Sequence, residues 1–301
     1  MIWNSGWKLA AAASENGCLG LIGSGSMKPE LLKEHITKLK NYFHEKGLNL
    51  PFGVNVPLIR GDADELVQTV IDEGVKIVFS SAGSPKVYAA KLKASGILLV
   101  HVVASVKHAL KAEESGCDAV VAEGFEAGGH NGLDEITTLC LIPQVVDAVK
   151  IPVIAAGGIA DGRQIAAAFS LGAEGVQIGT RFAATIEASG SNGFKQRIVE
   201  AKDNSTILTL KKLAPVRLYK NNFALEADTL EKSGASKEEL IDKLSKKREM
   251  MGMFEGDLDN GELEMGQSSG LVNDIKSVKE VVDDLLKQYD DAVKQLESNL
   301  V

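Results

Sequence analysis

One loop carries the residue types that acid–base chemistry needs. The run Glu123-Gly-Phe-Glu-Ala-Gly-Gly-His130 sets an imidazole behind two glycines, in a long polar stretch that follows an apolar run. Imidazole can act as acid, base or hydrogen-bond donor near neutral pH. A packing histidine sits more often within a helix or strand, so the position of His130 points to the mouth of a pocket. Glu123 and Glu126 belong to the same loop and can order a ligand or bind a cation. Glu126 equally fits a solvated loop charge. His101 lies inside an apolar run and can point into the fold, although a structural role is preferred. His35, His44 and His108 fall on helical stretches and read as solvated.

Two other loops suit phosphate. Gly157-Gly158 lets a backbone approach a ligand closely and expose its N–H groups. A helix starts near Asp161, and helix N-termini favour anions. One βα unit later, Gln177-Ile-Gly179-Thr180 offers a second set of donors, and Asn55 ends another apolar run. A single glycine pair would simply make a tight turn; two adjacent loops of this kind are read as a phosphate site. Arg181 and Asp161 have plain structural readings, at a strand end and as an N-cap. No G-x-S-x-G elbow supports Ser-His-Asp hydrolysis. No G-x-G-x-x-G opens a βαβ unit with an acidic residue about 20 further on, and Gly23-Ser-Gly25-Ser-Met27 lacks the third glycine.

These loops need elements to hold them. Through residue 185 the chain alternates short Val- and Ile-rich runs with longer amphipathic stretches. Strands are predicted at 18–22, 51–56, 76–80, 97–103, 118–122, 151–156 and 174–178, and helices at 29–46, 62–74, 85–95, 105–115, 137–149 and 161–171. Apolar runs without polar alternation fit strands buried on both faces. The βα rhythm implies parallel βαβ units. Seven strands are one short of a TIM-type (β/α)8 barrel, and an open doubly wound sheet competes. The barrel is preferred because glycine-rich loops follow successive strands throughout. The chain opens on a helical segment, 6–16, so the first strand of the parent fold is expected to be absent. Residues 1–185 form the expected barrel. Residues 186–266, more charged and without a strong strand run, read as a helical insertion or lid. Residues 267–301 read as a helix returning to the barrel, with Leu271, Ile275, Val278, Val282, Leu285 and Leu286 on one face.

Composition narrows the class. The chain has 301 residues, net charge −8 and a pI near 5.3, which argues against a nucleic-acid partner. Cys18, Cys117 and Cys140 have no C-x-x-C spacing, so neither a disulfide framework nor a metal site is expected; all three read as small buried hydrophobes. No run is long enough to span a bilayer, and a cytoplasmic enzyme is expected, with a homodimer allowed.

Six stretches together resemble the nitronate monooxygenase (2-nitropropane dioxygenase) family and its close relative, flavin-dependent enoyl-acyl carrier protein reductase II. They are Leu9 to Gly17 with Leu19 to Gly23, Pro51 to Asn55, Glu123 to Gly132, Ile151 to Arg163, Gln177 to Phe182, and Gly266-Gln-Ser-Ser-Gly-Leu271. The resemblance runs from Met1 to about Leu286. It implies an FMN-binding barrel with Asn55, Gly128, Gly158, Gln177, Gly179 and Thr180 at flavin-contacting positions, beside Gly157. Glu123 stands where relatives often carry Gln or Asp. His130 matches a histidine kept near the flavin in both groups. Family members usually begin with a strand of the form P-I-x-x-G-G-M that supplies backbone contacts to the flavin, whereas this chain starts at the Met. The loop after His130 has a length similar to the monooxygenases, while Thr137-Thr138 and the 266–271 motif are similar to the reductases. The first expectation is oxidation of an alkyl nitronate by O2 to a carbonyl compound and nitrite, with His130 donating to the nitronate oxygens. The second is reduction of an enoyl thioester, carried by acyl carrier protein, with NADH as co-substrate. The third is a non-catalytic flavin-binding remnant.

Overall fold

Seven of the apolar runs fold as parallel strands because both of their faces are covered. The computed structural model describes residues 1–244 and 247–298. Ser245 and Lys246 of the expected insertion, and 299–301 of the expected final helix, lie outside the described residues. The strands are β1 (Gly20–Gly23), β2 (Phe52–Pro57), β3 (Ile77–Ser81), β4 (Leu98–Val103), β5 (Ala119–Glu123), β6 (Gly129–His130), β7 (Val153–Ala156), β8 (Gly175–Gln177), β9 (Thr206–Thr209) and β10 (Val216–Tyr219). The helices that pack around the parallel sheet are α1 (Trp7–Glu15), α2 (Pro29–Glu45), α3 (Ala63–Asp72), α4 (Lys86–Ala94), α5 (Val106–Glu114), α6 (Thr138–Ala148) and α7 (Gly162–Ser170). A short α8 (Thr180–Ala183) follows β8; then come α9 (Asn192–Glu200), α10 (Asn222–Lys232), α11 (Lys237–Leu244) and the long α12 (Val278–Ser298).

The parallel sheet runs β1-β2-β3-β4-β5-β7-β8, and its two edges, β1 and β8, do not pair with each other. This is a TIM-type barrel lacking one strand, with the open seam between β8 and β1. Alternate residues point to opposite faces. Val54, Val56, Val78, Leu99, Val103, Val120, Ala122, Val153 and Ala155 face the helices and join the main core. Phe79, Val100, Val121 and Ala156 form a smaller inward cluster with Leu21, Ile77, Val102, Ala119 and Ile154. The same alternation turns His101 outward. It is buried there, with Nδ1 2.7 Å from Ser80 Oγ, and burial pushes its pKa down to about 4. That is a neutral packing histidine.

The segment after β8 departs from expectation in one respect. It holds α9, α10 and α11, but it also holds an antiparallel hairpin, β9–β10, and β10 pairs on its other side with β6 in the register Val216↔His130 and Arg217↔Gly129. Four-residue strands that carry lysine and arginine nearby give little apolar periodicity; only pairing with the His130 loop reveals them. The final helix also starts later than its pattern suggests, at Val278, where Val278, Val281, Val282 and Leu285 are buried. Leu271 lies in a 3-10 turn and Ile275 in an irregular stretch, and both are exposed, as is Leu286. Cys117 is buried, but Cys18 is half-buried and Cys140 exposed, so the buried reading fails for the last. His35 is half-buried rather than solvated: its Nδ1 accepts from Trp7 N at 3.2 Å and so caps the start of α1. No helix among the described residues is long and apolar enough to cross a membrane.

Phe194, wholly buried, sits at the centre of a cluster that joins α9 to Met253, Leu263, Met265 and the start of the barrel's last loop at Ala183 and Ala184. Phe194→Ala should cost about 3–5 kcal/mol in urea unfolding. A loss below about 1 kcal/mol would show that this cluster does not unfold together with the barrel.

Candidate active site

The C-terminal ends of the strands open on a cavity of about 1370 Å3. Asn55, Glu123, Gly128, His130, Gly157, Gly158, Gln177, Gly179 and Thr180 all line it. A single-ligand pocket usually measures about 300–1,000 Å3, so this one has room for a cofactor and a substrate side by side. Two features account for its size. The inward positions are small at Gly23 and Ala156, at the strand ends, and at Gly175 one pleat lower, and the seam between β1 and β8 extends the space toward α1, α7 and α12.

Each loop is shaped by a specific contact. Gly157 and Gly158 both adopt left-handed backbone, with φ of +89° and +74°. A Cβ on Gly157 would lie 2.5 Å from the carbonyl oxygen of Gly124, so no other residue fits there. The N–H groups of Gly157, Gly158 and Gly179 take no protein acceptor among the described residues. The amide of Asn55 donates to Phe79 O at 3.0 Å and to Ser81 Oγ at 3.2 Å, which fixes it at the end of β2. Thr180 Oγ1 accepts from Gly266 N at 2.9 Å and ties the 266–271 motif to the end of β8. Gly128 is required for a different reason: a Cβ there would meet the backbone of Met265 and Gly266 at 2.5–2.7 Å.

Two expectations change. Glu126 is not a solvated charge or a pocket acid. Its carboxylate accepts from Thr138 N at 2.9 and 3.1 Å and lies 2.9 Å from Thr138 Oγ1, which in turn is 2.9 Å from Gly157 O. It caps α6 and steadies the Gly157 turn. The N-terminus of α7 is not open to a phosphate either. Asp161 Oδ1 accepts from Arg163 N and Gln164 N, Gln164 Oε1 accepts from Ala160 N and Asp161 N, and Gln288 Oε1 accepts from Gly162 N. That capping box consumes the donors, leaving the glycine amides ahead of it and those around Gly179 for an anion. Arg181 is buried and bound to Asp274 O and Oδ1 at 2.9 and 2.8 Å, in keeping with its structural reading.

His130 is two-thirds exposed at the cavity mouth, held in place by the β6–β10 pairing. The groups around it are acidic. Its Nδ1 stands 3.9 Å from Glu264 Oε1. Burial pushes the Glu264 carboxyl upward, and Glu262 two residues away is raised further by burial and by Glu264. Across the cavity, burial raises Glu123 to about 7, against a smaller opposing pull from the amino terminus. Glu249 also lines the cavity. Glu264 was missed by sequence reasoning. The alternation Glu262-Leu-Glu264-Met, with Leu263 and Met265 buried in the opposite direction, is the signal that would have found it.

The donor set fits FMN in kind: free backbone N–H groups suit its phosphate, and the small inward residues leave width for its ring. Parallel barrel, glycine loops and mouth histidine together define a barrel oxidoreductase of the flavin type. The chain belongs to the nitronate monooxygenase family, whose profile matches residues 1–288. It is similar to the solved structure of FabK from Thermotoga maritima, with 43% identity, a TM-score of 0.92, and 99% of this chain and 93% of that one covered. It is also similar to the (3aS,4S,5R,7aS)-5-hydroxy-7a-methyl-1-oxo-octahydro-1H-indene-4-carboxyl-CoA dehydrogenase of Rhodococcus jostii strain RHA1, at 30% identity over 99% of this chain and 92% of that protein. A probable nitronate monooxygenase of Staphylococcus aureus strain Newman is 33% identical over 67% of this chain and 68% of its own length.

Two outcomes follow. Asp161→Ala should lower stability by about 1–2 kcal/mol while leaving FMN affinity unchanged in a flavin titration; a weakened affinity would return the α7 N-terminus to the phosphate site. Glu123 keeps its proton in the folded state up to about pH 7 but loses it near pH 4.5 when unfolded. Between those values the folded state binds more protons, so this group makes stability fall as pH rises. Glu123→Gln should therefore flatten the decline of the melting midpoint across that window, and an unchanged slope would show that Glu123 ionises normally.

Proposed function

We propose that the chain is an FMN-dependent reductase of enoyl thioesters, using NADH and acting on an acyl group carried by acyl carrier protein or coenzyme A. The observation that carries this reading is the acidic surround of His130. Glu264 faces it at 3.9 Å, Glu123 and Glu249 line the same cavity, and Glu262 lies two residues from Glu264. Burial raises the carboxyls of Glu123 and Glu264, and a protonated Glu123 can donate a hydrogen bond to the carbonyl of an enoyl thioester, which is neutral at its reacting end. Kinship along nearly the whole chain to FabK and to an indene-carboxyl-CoA dehydrogenase supports the same reading.

Bound FMN supplies hydride acceptance from NADH and hydride delivery to the β-carbon. The chain's own residues do the rest. The amides of Gly157, Gly158 and Gly179, with Thr180, would hold the phosphate. Asn55, Gln177 and Gly128 would border the ring system. His130 orients the thioester and supplies the proton that the α-carbon needs once hydride has reached the β-carbon. Glu123, half-protonated near neutral pH, can donate a hydrogen bond into the cavity where an ordinary carboxylate would only accept.

A nitronate monooxygenase is the second reading, favoured by the family profile and by the staphylococcal relative. A paired assay on FMN-loaded protein separates them. Crotonyl-thioester-dependent NADH oxidation is expected; oxygen uptake with an alkyl nitronate and no NADH would replace the proposal with the second reading. His130→Ala should retain flavin and lower turnover by about 10²–10⁴-fold. Undiminished turnover would remove His130 from the chemistry, and protein that takes up no FMN would mark a non-catalytic remnant.

A further inference from the structure

Glu264 occupies an unusual position for a carboxylate. Its side chain is only 12% exposed, and its Oε1 is buried without a hydrogen-bond partner among the described residues. A buried carboxylate oxygen in that state is costly unless something pairs with it. The group it faces is the Nδ1 of His130, at 3.9 Å. The backbone around the pair is built to bring them together. Gly129, with φ of +79°, passes directly over the carboxylate, and a Cβ there would lie 2.9 Å from Glu264 Oε2. Glu264 itself is bridged to Leu218 of β10, the strand that also pairs with His130. The flanking chain is pinned by Tyr219 N to Leu263 O at 2.9 Å and by Gly266 N to Thr180 Oγ1 at 2.9 Å. Histidine and glutamate thus ride on one three-stranded platform.

Arg217, the cation that neighbours them on β10, is engaged elsewhere. Its guanidinium donates to Phe125 O at 2.8 and 3.0 Å and stacks over the Phe125 ring at 5.0 Å. The remaining charged groups that face the pair are Glu262 on the same segment, Glu123 at the end of β5, Glu249 from the insertion, and the amino group of Met1. None of the carboxylates can donate to Glu264 without itself giving up charge.

We propose that Glu264 is the positioning residue for His130: its carboxylate accepts from Nδ1–H, fixes the ring orientation, and leaves Nε2 to meet the substrate. This rests on the reading of His130 as the group that meets substrate. A carboxylate behind an imidazole selects the tautomer and favours the protonated ring. At 3.9 Å the two atoms are within ion-pair reach, and catalytic hydrogen bonds tighten in the substrate complex.

The test is an NMR titration of FMN-loaded, full-length protein with labelled histidine and glutamate. In the wild type, the carboxyl carbon of Glu264 should show an inflection at the pH at which the His130 ring titrates. In Glu264→Gln, the His130 titration should move to lower pH, because an opposite charge beside the ring favours its protonated form. Glu262→Gln removes an acid that acts on Glu264 rather than directly on the ring, and should move the titration less than Glu264→Gln does. With crotonyl thioester, Glu264→Gln should lower kcat about 10-fold, with KM unchanged, and shift the matching limb of the pH profile. Absence of the shared inflection in the wild type overturns the pairing, even if the variant fails to fold. An unmoved titration in Glu264→Gln, or an equal shift in Glu262→Gln, overturns it as well. The titration needs no turnover, so loss of the reductase reading and loss of the pairing are separate results.

Discussion

The short antiparallel ladder between Gly129-His130 and Val216-Arg217 is the contact on which the site depends. A ten-residue loop, 123–132, with four glycines would otherwise sample many conformations, at a backbone entropy of about 1–2 kcal/mol per fixed residue. Backbone pairing to β10 fixes His130 without using its side chain. Gly128 then lets the loop lie against Met265 and Gly266, and Arg217 grips it from beneath through Phe125 O. The insertion is therefore part of the active-site scaffold: without β10 the histidine would have no defined place relative to the barrel.

The barrel contributes the space. An ordinary parallel barrel fills its interior with layers of large side chains. Here the inward positions include Gly23 and Ala156 at the strand ends and Gly175 one pleat lower on β8, and one strand is lacking between β8 and β1. The aliphatic residues that a barrel would spend on its interior are instead on the helix-facing side, where Ile22, Leu66, Leu99 and Ile142 are wholly buried. Stability thus comes mainly from the outer layer, and the inner one is free to hold ligands.

Electrostatics sets the chemistry apart from the fold. The carboxyls of Glu123, Glu262 and Glu264 are all raised by burial, and their mutual repulsion adds to the effect. Glu123, raised to about 7, can hold or release a proton near neutral pH in the cavity that the histidine lines. In the proposed reading the phosphate would be held without charged side chains, by glycine amides that helix capping leaves free.

The sequence by itself determined the βα order, the seven parallel strands to within about two residues, and the loops that would converge. Buried parallel strands are legible because both faces must be apolar, and left-handed turns because only glycine makes them, as at Gly157 and Gly158. Motif spacing was also enough to bring Asn55, Gln177 and His130 to one end of the sheet. What the sequence could not determine were pairings between distant segments with no periodicity of their own. The β9–β10 hairpin, Glu126 as a cap for α6, and Asp161 closing the α7 N-terminus to anions each depend on partners far along the chain or on competition for one donor. Glu264 is the clearest case. It lies 134 residues from His130 in a charged stretch that reads as surface, and only the folded ladder buries it beneath the ring.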